Sequence, residues 1–315
     1  MNRPRLSIVV PCYNEEDVVD MASKKLLEVV NHLVEKGKID EKSYILFVDD
    51  GSSDRTWPII RDLNQTNQAV KGLRLSANCG HQKALLAGLL NTRNRCDCVV
   101  TIDADLQDDV TVIEKMVDKY IQGNDIVYGV RKGRKVDSLF KRTTAQCFYA
   151  FLSFLDVKTV YNHADFRLIS KKIVAELSKF REVNLYLRGI FPLLGFRTSE
   201  VYYERKGRTA GVTKYPLRKM LSFAWDSVTS FSIFPMRLIL VFGIIVLSIS
   251  FVLFLWAFGL ALIGKSIPGW ASTVIPIYVL GGLQMAGIGL LGEYIGKIYG
   301  EVKSRPRFII DEELG

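Results

Sequence analysis

The run Val99-Val100-Thr101-Ile102 stops at Asp103-Ala104-Asp105-Leu106-Gln107, and few arrangements can hold it. A short, apolar, β-branched segment without polar alternation belongs in a parallel strand covered on both faces. Such a strand delivers Asp103 and Asp105 to the carboxyl edge of its sheet, where open α/β sheets take their ligands. Two adjacent acids repel unless a cation sits between them. Hard oxygen ligands that leave room for water and phosphate suit Mg²⁺ or Mn²⁺, so the pair reads as a metal site that carries a diphosphate. Asp-x-Asp also fits an ordinary loop, so the reading depends on what surrounds it.

The same pattern recurs upstream. Leu6–Val10, Tyr44–Val48, Val70–Leu75 and Asp125–Val130 read as strands, and helical periodicity falls between them at Val18–Val34, Arg55–Gln68, Gln82–Thr92 and Val110–Gln122. Strands alternating with helices imply an α/β fold with a doubly wound, mostly parallel sheet. Beyond Arg131 the spacing loosens: Ser138–Phe154 reads as helix, Asp165–Ile169 as strand, Leu185–Leu194 as a short helix and Val201–Tyr203 as extended.

In the last third, 238–263 and 266–292 carry no charged residue, and each exceeds the roughly 20 residues that span a bilayer. The expected layout is therefore a catalytic domain over 1–215, a juxtamembrane amphipathic region over 216–235, a two-span hairpin within 236–297 (about 238–263 and 269–292), and a tail over 298–315. Arg237, Lys297, Lys303, Arg305 and Arg307 against the lone Lys265 of the hairpin put the domain and both termini on the cytoplasmic side of the cell membrane. A net charge of +9 suits a lipid bilayer and phosphorylated ligands; no nucleic-acid motif is present. Of the five cysteines, Cys96 and Cys98 lack the second pair a zinc site needs.

Residues at successive strand ends share a chemical theme. Asp49, Asp103 and Asp105 are acids, while Tyr13, Ser52, Asn78 and Gly80 offer flat or small polar contacts to a base and ribose. A nucleotide-sugar fits that set, with its base near the first two strands and its diphosphate on the metal. Asp165, in the otherwise apolar Ala164-Asp165-Phe166-Arg167-Leu168, has two readings: an ion pair with Arg167, or a group directed to the acceptor side of the sugar.

Pro11-Cys12-Tyr13-Asn14-Glu15, Val48-Asp49-Asp50-Gly51-Ser52-Ser53-Asp54 and Asp103-Ala104-Asp105-Leu106-Gln107-Asp108, in this order, closely resemble the family 2 glycosyltransferases of the GT-A fold. The resemblance is strongest to the polyprenyl-phosphate sugar transferases, the dolichol-phosphate mannosyltransferase and bactoprenol glucosyltransferase group. It implies nucleotide-sugar contacts at Pro11, Tyr13, Glu15, Asp49, Asn78, Gly80, Gln107, Arg208 and Lys214, and a metal site of Asp103, Asp105 and Gln107. It also implies acceptor-phosphate contacts at Arg131 and Arg142, and a catalytic role for Asp103, Asp105 and Asp165. The implied activity is inverting transfer of a sugar, glucose or N-acetylglucosamine, from a UDP-sugar to undecaprenyl phosphate by a homo-oligomer, for modification of cell-envelope glycans. Rival readings are a polysaccharide synthase, which would want a Gln-x-x-Arg-Trp motif absent here, and a silent nucleotide-sugar-binding subunit, against which the intact Asp103 and Asp105 argue.

Overall fold

Period-two burial along the first strand shows how the sheet is built. In β1 (Leu6–Cys12), Leu6, Ile8, Val10 and Cys12 join one apolar cluster and Val9 the other, so both faces of the strand are covered. The computed structural model describes residues 3–131, 163–182, 187–204 and 270–315, together with 239, 241–246, 248–249, 251–252 and 255–256. These fall into two compact units, the first including the sheet and the last ten residues, Pro306–Gly315.

In the first unit, β1 is followed by α1 (Val19–Glu35), β2 (Tyr44–Asp49), α2 (Thr56–Thr66), β3 (Val70–Leu75), α3 (His81–Thr92), β4 (Cys98–Thr101), α4 (Val112–Ile121) and β5 (Ile126–Arg131). Then come β6 (His163–Ser170), α5 (Lys171–Leu177), α6 (Leu187–Leu193) and β7 (Thr198–Tyr203). The strand order is β7-β5-β6-β4-β1-β2-β3-β8, with β8 formed by Ile310–Leu314. The pairs β4–β1, β1–β2, β2–β3 and β5–β7 are parallel, so β1 to β4 all end on one edge. β6 alone among the inner strands is reversed, antiparallel to both β4 and β5. Helices α1, α2 and α4 pack on one face and α3, α5 and α6 on the other, which is the doubly wound arrangement expected.

Residues after 298 are described through Gly315. They complete a helix and then return to the sheet as β8, antiparallel to β3. Glu312 accepts hydrogen bonds from the Trp57 indole at 3.0 Å and from Arg61 at 2.8 Å, and Arg95 pairs with Glu313, so β8 is fastened to the sheet edge by charge.

The expected two-span membrane hairpin, with its placement in the cell membrane, is overturned: among the described residues no helix is long and apolar enough to cross a membrane. Lack of charge in the sequence is a weaker requirement than one continuous helix of sufficient length and apolarity. Residues 270–292 lie in α7 (Trp270–Val302), whose 33 residues run on through Glu293, Lys297 and Glu301. The region 216–235 lies outside the described residues.

Close packing of α3 on the sheet positions everything at the edge above it. A Cβ on Gly88 would lie 2.5 Å from Val9 Cγ1 and 2.8 Å from Val48 Cγ2, closer than atoms can approach. Gly88→Ala should therefore push α3 off β1 and β2 and cost about 2 kcal/mol by overpacking, read as a lowered urea midpoint with an unchanged m-value.

Candidate functional site

Most polar residues of the two N-terminal motifs tie their loops to one another. Asn14 N–H donates to Ser52 Oγ (3.0 Å), Ser53 N–H to Asn14 Oδ1 (2.9 Å), Glu15 N–H to Thr56 Oγ1 (2.9 Å) and Arg55 N–H to a Glu16 carboxylate oxygen (3.0 Å). Asn14 itself takes a positive φ of 53°. These bonds fix the turn after β1 against the turn after β2 and leave Tyr13 exposed above them. Pro11 stays in the strand, opposite Val48.

Asp49 and Asp50 are neighbours with different duties. Asp50 spans to the loop before α3, accepting the N–H groups of Cys79 (2.8 Å) and Gly80 (2.9 Å). Between the acids and that loop Gly51 sits at φ +66°, where an added Cβ would lie 2.6 Å from the Ala77 backbone, so only glycine fits. Asp49 is fully buried; its Oδ1 accepts Ser52 N–H at 3.1 Å, and its Oδ2 is enclosed with no hydrogen-bond partner, the nearest cation being Arg74 at 3.5 Å. Burial pushes this carboxyl above its ordinary value, against the pull of Ser52 and Arg74. Asn78 is exposed and Gly80, at φ +93°, caps α3.

Beyond β4 the chain turns through Asp103, Asp105 and Gln107. Gln107 donates through Nε2 to Asp105 Oδ2 (2.7 Å) and through its backbone N–H to Oδ1 (3.3 Å), so it orients the second acid. Leu106 between them has φ +45°, a left-handed conformation that branched side chains avoid. The Asp103 side chain is 40 % exposed, yet its Oδ1 is enclosed and without a hydrogen-bond partner. Burial raises its carboxyl, His81 pulls it back, and Asp165, Asp108 and Asp105 raise it further. A site of two carboxylates and an amide fits a hard divalent cation that keeps most of its shell for water and phosphate. Among the described residues there is no larger cluster of metal-ligating side chains.

Asp165 meets this edge because β6 is reversed. It forms the ion pair with Arg167, Nη2 to Oδ1 at 2.5 Å, and a second with Arg188 of α6, Nη2 to Oδ2 at 2.7 Å. It also faces His81, the first residue of α3, whose Nε2 lies 3.5 Å from Asp165 Oδ2 and 3.6 Å from Asp103 Oδ1. Burial would raise the Asp165 carboxyl, but His81, Arg167 and Arg188 outweigh it and hold it well below the carboxylate range. Burial alone would push the His81 imidazole down; Asp165 and Asp103 hold it above its ordinary value. The ion pair and the site position therefore coexist.

Arg131, at the end of β5, donates to Asp108 Oδ1 (3.1 Å from Nη2) and to the Tyr203 hydroxyl (3.2 Å from Nε). His81, Arg188, Asp108 and Tyr203 were not singled out by sequence. A lone histidine at a helix start and an arginine in an apolar helix carry no spacing pattern; their role comes from the fold alone. Arg142, Arg208 and Lys214 lie outside the described residues.

Residues 7–178 match the family model described as Glycosyl transferase family 2. The chain belongs to that family. It is a glycosyltransferase, with the GT-A-like mixed α/β sheet described above. An uncharacterized glycosyltransferase, YkoT, of Bacillus subtilis (strain 168) is 54% identical over 313 residues, covering 99% of this chain and 93% of its own length. A bactoprenol glucosyl transferase of Shigella phage SfX is 39% identical over 308 residues, covering 97% and 98%. Among solved structures, a glucosyl-3-phosphoglycerate synthase from Mycobacterium tuberculosis in complex with Mn²⁺, UDP-glucose and phosphoglyceric acid is 18% identical, with a TM-score of 0.45 over 72% of this chain and 78% of its own. That overlap is too loose to carry its ligands across.

Removing one charge of a buried pair strands the other. Asp165→Asn should lower stability by about 3 kcal/mol, because the fully buried Arg167 loses the carboxylate it pairs with at 2.5 Å. Equilibrium urea unfolding measures it; a wild-type midpoint would show that the surroundings of Arg167 neutralise it without Asp165.

Proposed function

We propose that this glycosyltransferase moves a sugar from a UDP-sugar to a polyprenyl phosphate, undecaprenyl phosphate in particular, a reading supported by relatives named bactoprenol glucosyl transferase. One observation carries the reading: two enclosed carboxylate oxygens without hydrogen-bond partners, Asp49 Oδ2 and Asp103 Oδ1, lie along one sheet edge. Their strands β2 and β4 flank β1, so the two positions are separated by two strand spacings, roughly 10 Å. A nucleoside diphosphate covers that span, with a base N–H on Asp49 and the diphosphate near Asp103.

Asp103 and Asp105, with Gln107 orienting the latter, are the residues that would hold Mg²⁺ or Mn²⁺. Such a cation, when bound, supplies positive charge to the diphosphate leaving group. The protein supplies the rest. Asp49 and the exposed Tyr13 seat the base, the Asp50-braced loop with Asn78 and Gly80 lines the ribose side, and Glu15 stays in the turn that holds Tyr13. Asp165, held ionised by Arg167 and Arg188, faces the sugar from the acceptor side and orients a hydroxyl or the incoming phosphate. A lipid phosphate is already an anion, so no strong base has to be created. Its oxygen forms a bond to the anomeric carbon as the bond from that carbon to UDP breaks on the opposite face, so configuration inverts. Arg208, Lys214 and Arg142 are proposed as cations for the two phosphate groups, on the family resemblance alone.

The test is incubation of the purified protein with a panel of UDP-sugars and undecaprenyl phosphate, with the lipid product weighed by mass spectrometry. UDP release should depend on the lipid phosphate. Asp103→Asn and Asp105→Asn should each reduce transfer at least ~100-fold with an unchanged melting temperature, the scale of losing charge stabilisation at a leaving oxyanion. Full turnover in EDTA would remove the metal from this account, and UDP release without lipid phosphate would replace the acceptor.

A further inference from the structure

The loop that carries Asp105 and Gln107 is strained, and something has to hold it. Leu106, at φ +45°, sits in the left-handed region that side chains other than glycine rarely adopt. The Asp105–Gln107 hydrogen bonds lie inside the loop and would travel with it if it relaxed. Ala104 and Leu106 are packed in the core, and the loop's polar tie to the neighbouring strands is at Asp108. Asp108 is buried, its side chain 3 % exposed, and its Oδ1 accepts the Tyr203 hydroxyl at 2.6 Å and Arg131 Nη2 at 3.1 Å. Arg131 Nε also donates to the Tyr203 oxygen at 3.2 Å, closing a three-membered set.

The partners of Asp108 come from rigid ground. Arg131 and Tyr203 are register partners at the last step of the parallel β5–β7 pairing. The Tyr203 ring is buried and stands edge-on to Phe166 of β6, centroids 5.5 Å apart at 85°. We propose that Tyr203, acting through Asp108 and together with Arg131, is a positioning residue: it latches the 103–109 loop to the ends of β5 and β7, and so keeps Asp105 and Gln107 presented at the sheet edge. Arg131 then belongs to the donor side as a brace, with its Nε and Nη2 directed to Asp108 and Tyr203. The inference rests on the donor-site reading of this loop for its functional consequence, but the latch itself is a statement about the loop's conformation.

A purely structural account would have Arg131 neutralise a buried acid, with the Tyr203 hydroxyl incidental. Tyr203→Phe separates the two, because it keeps the ring on Phe166 and the Arg131–Asp108 pair and removes only the hydroxyl. In the intact protein, hydrogen exchange of peptides covering 103–109 should quicken at least ~10-fold, the scale of one lost hydrogen bond to a charged group, while exchange in β1 and β2 stays at wild type. Mn²⁺ affinity, titrated by electron paramagnetic resonance on the protein and metal alone, should fall ~10-fold, as when a group that orients a metal ligand is lost. Unchanged exchange at 103–109 in this variant overturns the latch. Should the phenylalanine variant melt far below wild type, Asp108→Asn, which leaves the Tyr203 ring in place, decides on the same exchange reading. A wild type that binds no Mn²⁺ would sink the metal reading of the site, while the exchange comparison would still decide the latch.

Discussion

A guanidinium with no exposed surface organises the candidate site. Arg167 lies wholly inside the sheet layer, its guanidinium 4.6 Å from the centre of the Phe191 ring, and burying such a charge is tolerable only with an anion beside it. Asp165 is that anion, one residue removed on the same strand and therefore on the same face. Because β6 runs against β4, stepping back from Arg167 to Asp165 moves toward the carboxyl edge, where β4 releases Asp103. Thr101 at the end of β4 donates its hydroxyl to the Asp165 carbonyl, locking the two strand ends together. An interaction that looks like packing thus delivers the third acid of the site, and strand direction is what converts one into the other.

The sheet and its acid-bearing edge were legible because both rest on local patterning. Apolar runs ending in Asp49, Asp103 and their neighbours, separated by amphipathic segments, leave little choice but parallel strands stopping together. What escaped rests on partners far apart in sequence. His81 meets Asp103 and Asp165 only once α3 and β6 are packed beside β4, and Tyr203 meets Asp108 only across β5 and β7. Ile310–Leu314 contains three consecutive acids, Asp311, Glu312 and Glu313, which read as a solvated end until Arg61, Arg95 and Arg74 are brought opposite them. The two membrane spans read from the uncharged stretches are the expectation that fails, since among the described residues no helix is long and apolar enough to cross a membrane.

The long motifs of this family gain a physical explanation from how few of their residues remain available. Asn14, Ser52, Ser53, Asp54 and Thr56 spend their hydrogen-bonding capacity on one another's loops, and Asp50 spends both carboxylate oxygens on the backbone before α3. Those contacts order three turns that would otherwise be mobile before a ligand arrives. The strand-end carboxylate oxygens left enclosed and without hydrogen bonds, one on Asp49 and one on Asp103, are then informative exceptions.

The far edge of the sheet bears on the same balance. β3 would be an open edge, and β8 covers it with a strand whose acids face the arginines of α2, β3 and the turn after α3. Arg74 is shared in this arrangement: it lies 3.5 Å from Asp49 and 3.9 Å from Asp311, with its guanidinium over Trp57. Held between an acid of the site and an acid of β8, Arg74 cannot close fully on Asp49, and the Oδ2 of Asp49 keeps no hydrogen-bond donor. Covering the edge and leaving the Asp49 carboxylate oxygen without a hydrogen bond go with one charge being divided between two partners, which ties β8 to the first turn of the site.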